Sequence, residues 1–209
     1  MPRILAINAQ ARCGDIIPEL RQHLDAGGVA ALPTDTLYGL AAHALCRSAI
    51  ARVFAIKGRS PDKPLPLVVR DRDQASALAA RLPPWFDQLA AAFWPGPLTL
   101  ILPAAAHVPA ELTAGSGGIA VRQPDLPFLQ TLLQALDYPL TATSANRSGA
   151  PACRTAAEVA AQLGEDCPLV VDGGPSPSGR PSTIVDLCGL APRLLREGAI
   201  AASLLAPYL

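Results

Sequence analysis

Short apolar runs interrupted by proline and glycine alternate along this chain with segments of helical periodicity. Ile16, Ile17, Leu20 and Leu24 fall at helical spacing after Asp15, which can cap a helix start. Gly27-Gly28 end that run before a strand expected at Val29 to Leu32. Ile50, Val53, Phe54 and Ile56 predict a second helix with Ser48 at its N-cap. A strand at Leu67 to Val69 follows, then helices around Ala75 to Leu82 and Pro84 to Phe93, then a strand at Leu98 to Leu102.

Further strands are expected at Ile119 to Val121, Leu140 to Thr143, Leu169 to Val171, Thr183 to Val185 and Arg193 to Leu195. Between them lie a helix near Phe128 to Leu136 and one capped by Thr155, with Glu158 three residues on completing a capping box. Strands alternate with helices at first and later come in succession, which predicts an α/β fold with a mixed sheet. Trp85, Phe86, Phe93 and Trp94 read as helix-to-sheet packing rather than a base-stacking platform. The run from Gly173 to Pro181 has no apolar side chain beyond its prolines and is expected to be a mobile loop, either a lid or plain surface.

With 209 residues, half of them apolar, the chain can bury one sizeable core, and nothing reads as a linker. We therefore expect one domain over residues 1–209. The formal net charge is zero, so composition gives no global argument for nucleic-acid binding, although a local basic groove stays open. Five cysteines are odd in number and far apart, and three histidines are isolated. That spacing argues against a zinc site or a disulfide framework and for free thiols in a reducing compartment. The N-terminus lacks a signal-peptide pattern and no apolar stretch reaches membrane-spanning length, so a soluble, cytoplasmic protein is expected.

The charged residues add one feature. Both lysines of the chain fall in Lys57-Gly58-Arg59-Ser60-Pro61-Asp62-Lys63, whereas fifteen arginines supply every other strongly basic side chain. Compact ammonium groups beside Arg59 suit a phosphate site, while a solvated cationic helix end would explain the same residues. In Leu140-Thr141-Ala142-Thr143-Ser144-Ala145-Asn146-Arg147-Ser148-Gly149 an apolar strand gives way to small polar residues and glycine, which present hydroxyls and N–H groups as an anion nest or simply as a capping turn. Val29 to Leu40 has the same order of buried strand, polar turn (Pro33-Thr34-Asp35-Thr36) and glycine.

These three segments together resemble the YrdC/TsaC family of threonylcarbamoyl-AMP synthases. The resemblance continues in order through Trp94-Pro95-Gly96-Pro97-Leu98-Thr99, Ile119-Ala120-Val121-Arg122-Gln123-Pro124, Ser182-Thr183-Ile184-Val185-Asp186 and Leu195-Arg196-Glu197-Gly198-Ala199, and so covers nearly the whole chain. It implies a YrdC-like twisted mixed sheet flanked by helices, with a concave ligand-binding face. It also implies a nucleotidyltransferase that makes threonylcarbamoyl-AMP and pyrophosphate from L-threonine, bicarbonate and ATP. The product would feed a downstream ligase complex that forms N6-threonylcarbamoyladenosine (t6A) at tRNA position 37.

By the same resemblance Lys57 and Arg59 form the lysine-x-arginine pair at the triphosphate, supported by Lys63. Ser144 and Asn146 form the serine-x-asparagine element near the α-phosphate, and Arg196 is a further nucleotide contact. Thr36, Arg122 and Ser182 are the expected threonine contacts, with Arg122 suited to a bidentate grip on the carboxylate. Asp35 is expected to satisfy local backbone N–H groups rather than act as a base. Mg²⁺ is implied with ATP, held largely by phosphates and water, and no permanent metal site is expected.

The chain ends at Leu209, soon after the Arg196 block, and has Val68 and Pro66 where longer relatives differ. These departures point to the short, single-domain form and leave the detailed threonine contacts open. Two alternatives stay in view. One is a double-stranded RNA or tRNA binding module using Lys57, Arg59, Lys63 and Arg122 on backbone phosphates. The other is a YrdC-like paralogue with a different acyl acceptor, akin to the carbamoyl-transfer domains of hydrogenase maturation proteins.

Overall fold

The computed structural model describes residues 1–7 and 13–209, and of residues 13–15 the backbone alone. In chain order the elements are β1 (Arg3–Ala6), α1 (Cys13–Asp25), β2 (Ala30–Leu32), β3 (Gly39–Ala41), α2 (Arg47–Lys57), β4 (Leu67–Val68), α3 (Arg72–Leu78) and α4 (Phe86–Phe93). Then follow β5 (Leu98–Pro103), α5 (Ala110–Thr113), β6 (Gly118–Arg122), α6 (Pro127–Ala135), β7 (Leu140–Thr141), β8 (Thr143–Ser144) and α7 (Ala156–Leu163). The last elements are β9 (Leu169–Asp172), β10 (Thr183–Asp186), β11 (Arg193–Arg196) and α8 (Ala202–Leu205). No helix among the described residues is long and apolar enough to cross a membrane.

The strands form two mixed sheets rather than one. The five-stranded sheet has the order β1-β9-β2-β3-β8 and the six-stranded sheet β11-β10-β5-β6-β4-β7. The expected strand at Leu140 to Thr143 is where they meet. Its first half, β7, pairs antiparallel with β4 in one sheet, and its second half, β8, pairs antiparallel with β3 in the other. Ala142 lies between them and donates its N–H to Pro66 O at 2.8 Å, while Thr141 N–H reaches Ala42 O at 3.0 Å. The fully buried Thr141 hydroxyl accepts from Ala42 N–H and donates to Leu40 O, which satisfies a polar side chain inside the junction.

The inner strands are buried on both faces, and alternate residues feed two separate cores. Ala30 and Leu32 of β2 face one core and Ala31 the other; Leu169 and Val171 of β9 divide in the same way from Val170. The smaller core packs Ile17, Leu20 and Leu24 of α1 against Phe128, Leu129, Leu132 and Leu133 of α6. The larger core takes Ile50, Val53 and Ile56 of α2, with Phe86 and Leu89 of α4, onto the other faces. Such strands read as continuous apolar runs because neither face meets water.

Three local expectations need correction or fall outside the described residues. The N-cap of α2 is Cys46, with Ser48 already inside the helix, and the cap makes no side-chain hydrogen bond. Helix α1 begins at Cys13, and the expected cap Asp15 lies outside the described side chains, as does the Cys13 thiol. The capping box at α7 forms with an offset: Thr155 Oγ1 accepts from Glu158 N–H at 3.2 Å, while the Glu158 carboxylate accepts from Arg154 N–H at 2.6 Å. Phe86 is fully buried with Trp94 edge-on to it, in keeping with packing.

Candidate active site

A cavity of about 570 Å³ opens where the two sheets meet. Its walls come from the turn after β2 (Thr34, Thr36), the end of β6 (Arg122), the sheet crossing (Ala142 to Ser144), the segment after α2 (Arg59, Pro64, Pro66) and the strand ends carrying Ser182 and Arg196. Among the described residues four arginines line it, Arg59, Arg122, Arg154 and Arg196, and no carboxylate does. A concave site lined by guanidinium groups without acidic neighbours favours anionic ligands.

The lysine-x-arginine and serine-x-asparagine segments are brought together, with the two residues of the first pair in different places. Lys57 ends α2, is 2% exposed, and its Nζ donates to Ser144 O at 2.5 Å, Asn146 O at 2.8 Å and Asn146 Oδ1 at 3.1 Å. All three ammonium donors are therefore spent on the turn, and Lys57 is not part of the cavity wall. Burial, and secondarily the charge of Arg59, lowers its pKa to about 8. In this arrangement Lys57 braces the turn that carries Ser144 to the cavity wall. Arg59 does line the cavity, braced by Lys63 O and Pro64 O. Lys63 is exposed and off the wall, and contributes its carbonyl to Arg59.

Within the turn, Ser144 Oγ donates to Asn146 Oδ1 at 2.5 Å, and Asn146 Nδ2 donates to Arg147 O and Ala150 O. Ser144 faces the cavity, whereas Asn146 is buried behind it.

On the other wall, Thr34 rather than Asp35 satisfies the local backbone, accepting from Thr36 and Leu37 N–H and donating to Leu37 O. The Thr36 hydroxyl lies 2.9 Å from that of Thr34. This corrects the expected role of Asp35: its Oδ1 meets Arg122 Nη1 at 2.5 Å, in a pair whose side chains are 11% and 7% exposed. Asp35 Oδ2 is buried with no hydrogen-bond partner. The pair joins the two sheets and orients Arg122. Ser182 Oγ sits 2.8 Å from Thr99 Oγ1, and Arg196 donates to Ser182 O and Oγ. Gly198 lies so close to this strand that an added Cβ would come within 2.5 Å of Ser182 carbonyl atoms. Partial burial pulls the Arg59 and Arg196 guanidinium groups below their ordinary pKa, though both keep contact with solvent.

The Gly173 to Pro181 loop is fastened over this site. Tyr38 OH donates to Gly174 O at 2.8 Å, Ser176 N–H to Arg154 O at 2.8 Å, Ser178 N–H to Asp35 O at 3.3 Å and Gly179 N–H to Thr36 O at 3.1 Å. Gly179 and Pro181 themselves line the cavity. Sequence reasoning passed over Thr34, Tyr38, Thr99 and Arg154 as wall residues. Thr34 shares its turn with Thr36 and could have been found; an arginine ahead of a helix cap carries no such signal. Pro66 lines the wall, while Val68 is buried in the smaller core.

Two mixed sheets around an arginine-lined cavity, with a tethered loop at its rim, define an α/β domain with a concave face suited to a small anionic ligand. The family model described as "Telomere recombination", which covers the Sua5, YciO and YrdC proteins, matches residues 22–198, and the chain belongs to this family. It is 40% identical over 174 residues to the threonylcarbamoyl-AMP synthase of Pyrococcus abyssi, a match that covers 83% of this chain and 51% of that protein. The chain thus spans about half the length of that relative. A threonylcarbamoyl-AMP synthase from Vibrio cholerae is 38% identical over 195 residues, covering 88% of this chain and 99% of that one. Among solved structures, P. abyssi Sua5 complexed with L-threonine superposes with a TM-score of 0.94 at 34% identity, covering 99% of this chain and 61% of that one. Escherichia coli YciO gives 0.87 at 26% identity over the full length of both chains.

Proposed function

We propose that this chain is an L-threonylcarbamoyladenylate synthase, joining L-threonine, bicarbonate and ATP into threonylcarbamoyl-AMP and pyrophosphate. The observation that carries this reading is the cavity with four arginines and no carboxylate, flanked on one side by the Ser144 turn and on the other by the Thr36 and Arg122 wall. Two anionic substrates would share one basic cavity, and the relatives' names accord with that.

In the reaction the threonine amine attacks the carbon of bicarbonate, water is lost, and a carbamate forms. A carbamate oxygen then attacks the α-phosphorus, the bond from that phosphorus to the bridging oxygen breaks, and pyrophosphate leaves with the electron pair. Little covalent work falls to the protein, so positioning and charge neutralisation dominate. Arg122, held by Asp35, would grip the threonine carboxylate, with Thr36 and Ser182 near the rest of the amino acid. Arg59 and Arg196 would take phosphate oxygens, and Ser144 would present its hydroxyl beside the α-phosphate while Lys57 and Asn146 hold that turn in shape.

Among the described residues no three His, Cys, Asp or Glu side chains group to hold an ion. A Mg²⁺ would arrive on ATP, held by phosphate oxygens and water, and its chemistry would be neutralisation of phosphate charge. The product would pass to a separate ligase acting on adenosine 37 of tRNA, and a cytoplasmic location is part of the same proposal. RNA binding by the same cations is less well supported, because the arginines line a concave pocket beside the Thr36 and Ser144 turns, which suits a small ligand with several distinct ends.

The test is pyrophosphate release from Mg-ATP. Purified protein should release it only with both threonine and bicarbonate present, and release without threonine, or none at all from folded protein, removes the assignment.

A further inference from the structure

Three of the four cavity arginines are already committed to the protein. Arg59 donates to Lys63 O and Pro64 O, Arg122 to Asp35, and Arg196 to Ser182. Arg154 is different. Its backbone is used on both sides, the N–H by Glu158 and the carbonyl by Ser176 N–H, yet among the described residues its guanidinium makes no hydrogen bond or ion pair.

Arg154 is exposed to solvent, and its head group lies directly beside the overlying loop. Gly179 of the overlying loop lies against it, so that an added Cβ would stand 2.6 Å from Cζ, Nε and Nη2 of Arg154. Gly179 also has φ of +60°, in the left-handed region, so glycine is required there twice over. The loop therefore presses on one side of the guanidinium while the side chain also borders the cavity. Five N–H donors in a fixed planar fork, none spent on protein, in a cavity wall without carboxylates, have the chemistry of an oxyanion clamp.

We propose that Arg154 is a substrate-binding residue that takes an oxyanion of the bound ligand, and that it couples that ligand to the loop carrying Gly179. This rests on the reading above that anionic substrates occupy the cavity. The oxyanion is a phosphate of the nucleotide or the carboxylate of the amino acid, and the two sources separate by titration.

Full-length Arg154→Gln and Arg154→Lys would be compared with wild type by calorimetric titration with Mg-ATP and, separately, with L-threonine, beside thermal melts. Arg154→Gln should weaken one ligand about 10-fold or more, the loss of one charge-assisted contact, with the melting temperature unchanged. Loss for ATP identifies a phosphate, loss for threonine a carboxylate. Arg154→Lys, which keeps the charge but not the fork, should fall between, and it decides the matter if the glutamine variant proves unstable. Wild-type affinity for both ligands in a folded variant overturns the role of Arg154 and leaves the functional reading standing. Failure of wild-type protein to bind either ligand removes the reading and the clamp together.

Discussion

Lys57 concentrates the chemistry of the site in one titratable group. Its folded pKa of about 8 lies below the ordinary 10.5 because burial disfavours the ammonium, so the folded state releases the proton first. Below about pH 8 both folded and unfolded chains carry the proton and the burial cost is felt in full; between 8 and 10.5 that cost is relieved. The turn behaves oppositely, since a neutral amine has two N–H groups for the three acceptors on Ser144 and Asn146. Nucleotide affinity should therefore fall above pH 8 while this lysine no longer opposes folding. The chain has two lysines, so carbon-13 NMR of labelled Lys63→Arg protein follows Lys57 alone. A midpoint near that of an exposed lysine would contradict the burial argument.

The Asp35–Arg122 pair permits a second residue-scale prediction. Arg122→Gln leaves a carboxylate buried with neither oxygen paired, a loss of about 3–5 kcal/mol, whereas Asp35→Asn/Arg122→Gln removes both charges and should regain much of it in urea denaturation. Threonine binding should stay lost in both variants, which separates the stabilising role from the ligand role. Nothing in sequence could pair these residues. They lie 87 positions apart, one in the turn after β2 and the other at the end of β6 in the second sheet, and a polar turn alone suggests only local hydrogen bonds.

At the scale of elements, the strong apolar runs were legible because burial on both faces leaves no alternation to misread: β2, β5, β6 and β9 lie within a residue or two of expectation. Strand β3 was not, since Gly39-Leu40-Ala41 carries one strand-forming side chain and owes its pairing to neighbours on both sides. Strand β1 was missed for a related reason: four largely exposed residues form a sheet edge through pairing with β9, which is a tertiary contact. The Gly173 to Pro181 loop looked free because it has few apolar side chains, yet backbone N–H groups fasten it, and those leave no mark on residue type. Gly179→Ala tests its importance. A Cβ at positive φ, pressed on Arg154, should displace the loop at a cost of about 1–3 kcal/mol local to it. Substrate KM should rise several-fold while the two cores, and hence the thermal transition, change little. A wild-type KM in this variant would mean the loop does not report on the cavity.

For the molecule as a whole, a formal charge of zero sits beside a cavity with four arginines, so attraction for anions there is local rather than a consequence of net charge. Salt separates the two uses those cations could serve. A backbone of RNA laid across four cationic side chains would release several condensed counterions, and affinity would fall by roughly 10²-fold between 50 and 200 mM salt. A small ligand inside a cavity exchanges fewer counterions and is shielded by protein walls, so its affinity should change less than about 10-fold over the same range. Titration of wild-type protein with Mg-ATP and with unmodified tRNA at both salt levels makes the comparison directly. The enzyme reading expects measurable, weakly salt-dependent ATP binding, with any tRNA affinity steeply salt-dependent and indifferent to ATP in the cavity. Competition between saturating ATP and tRNA would instead mean that Arg59, Arg122 and Arg196 are shared, and that the cavity mouth is also an RNA surface.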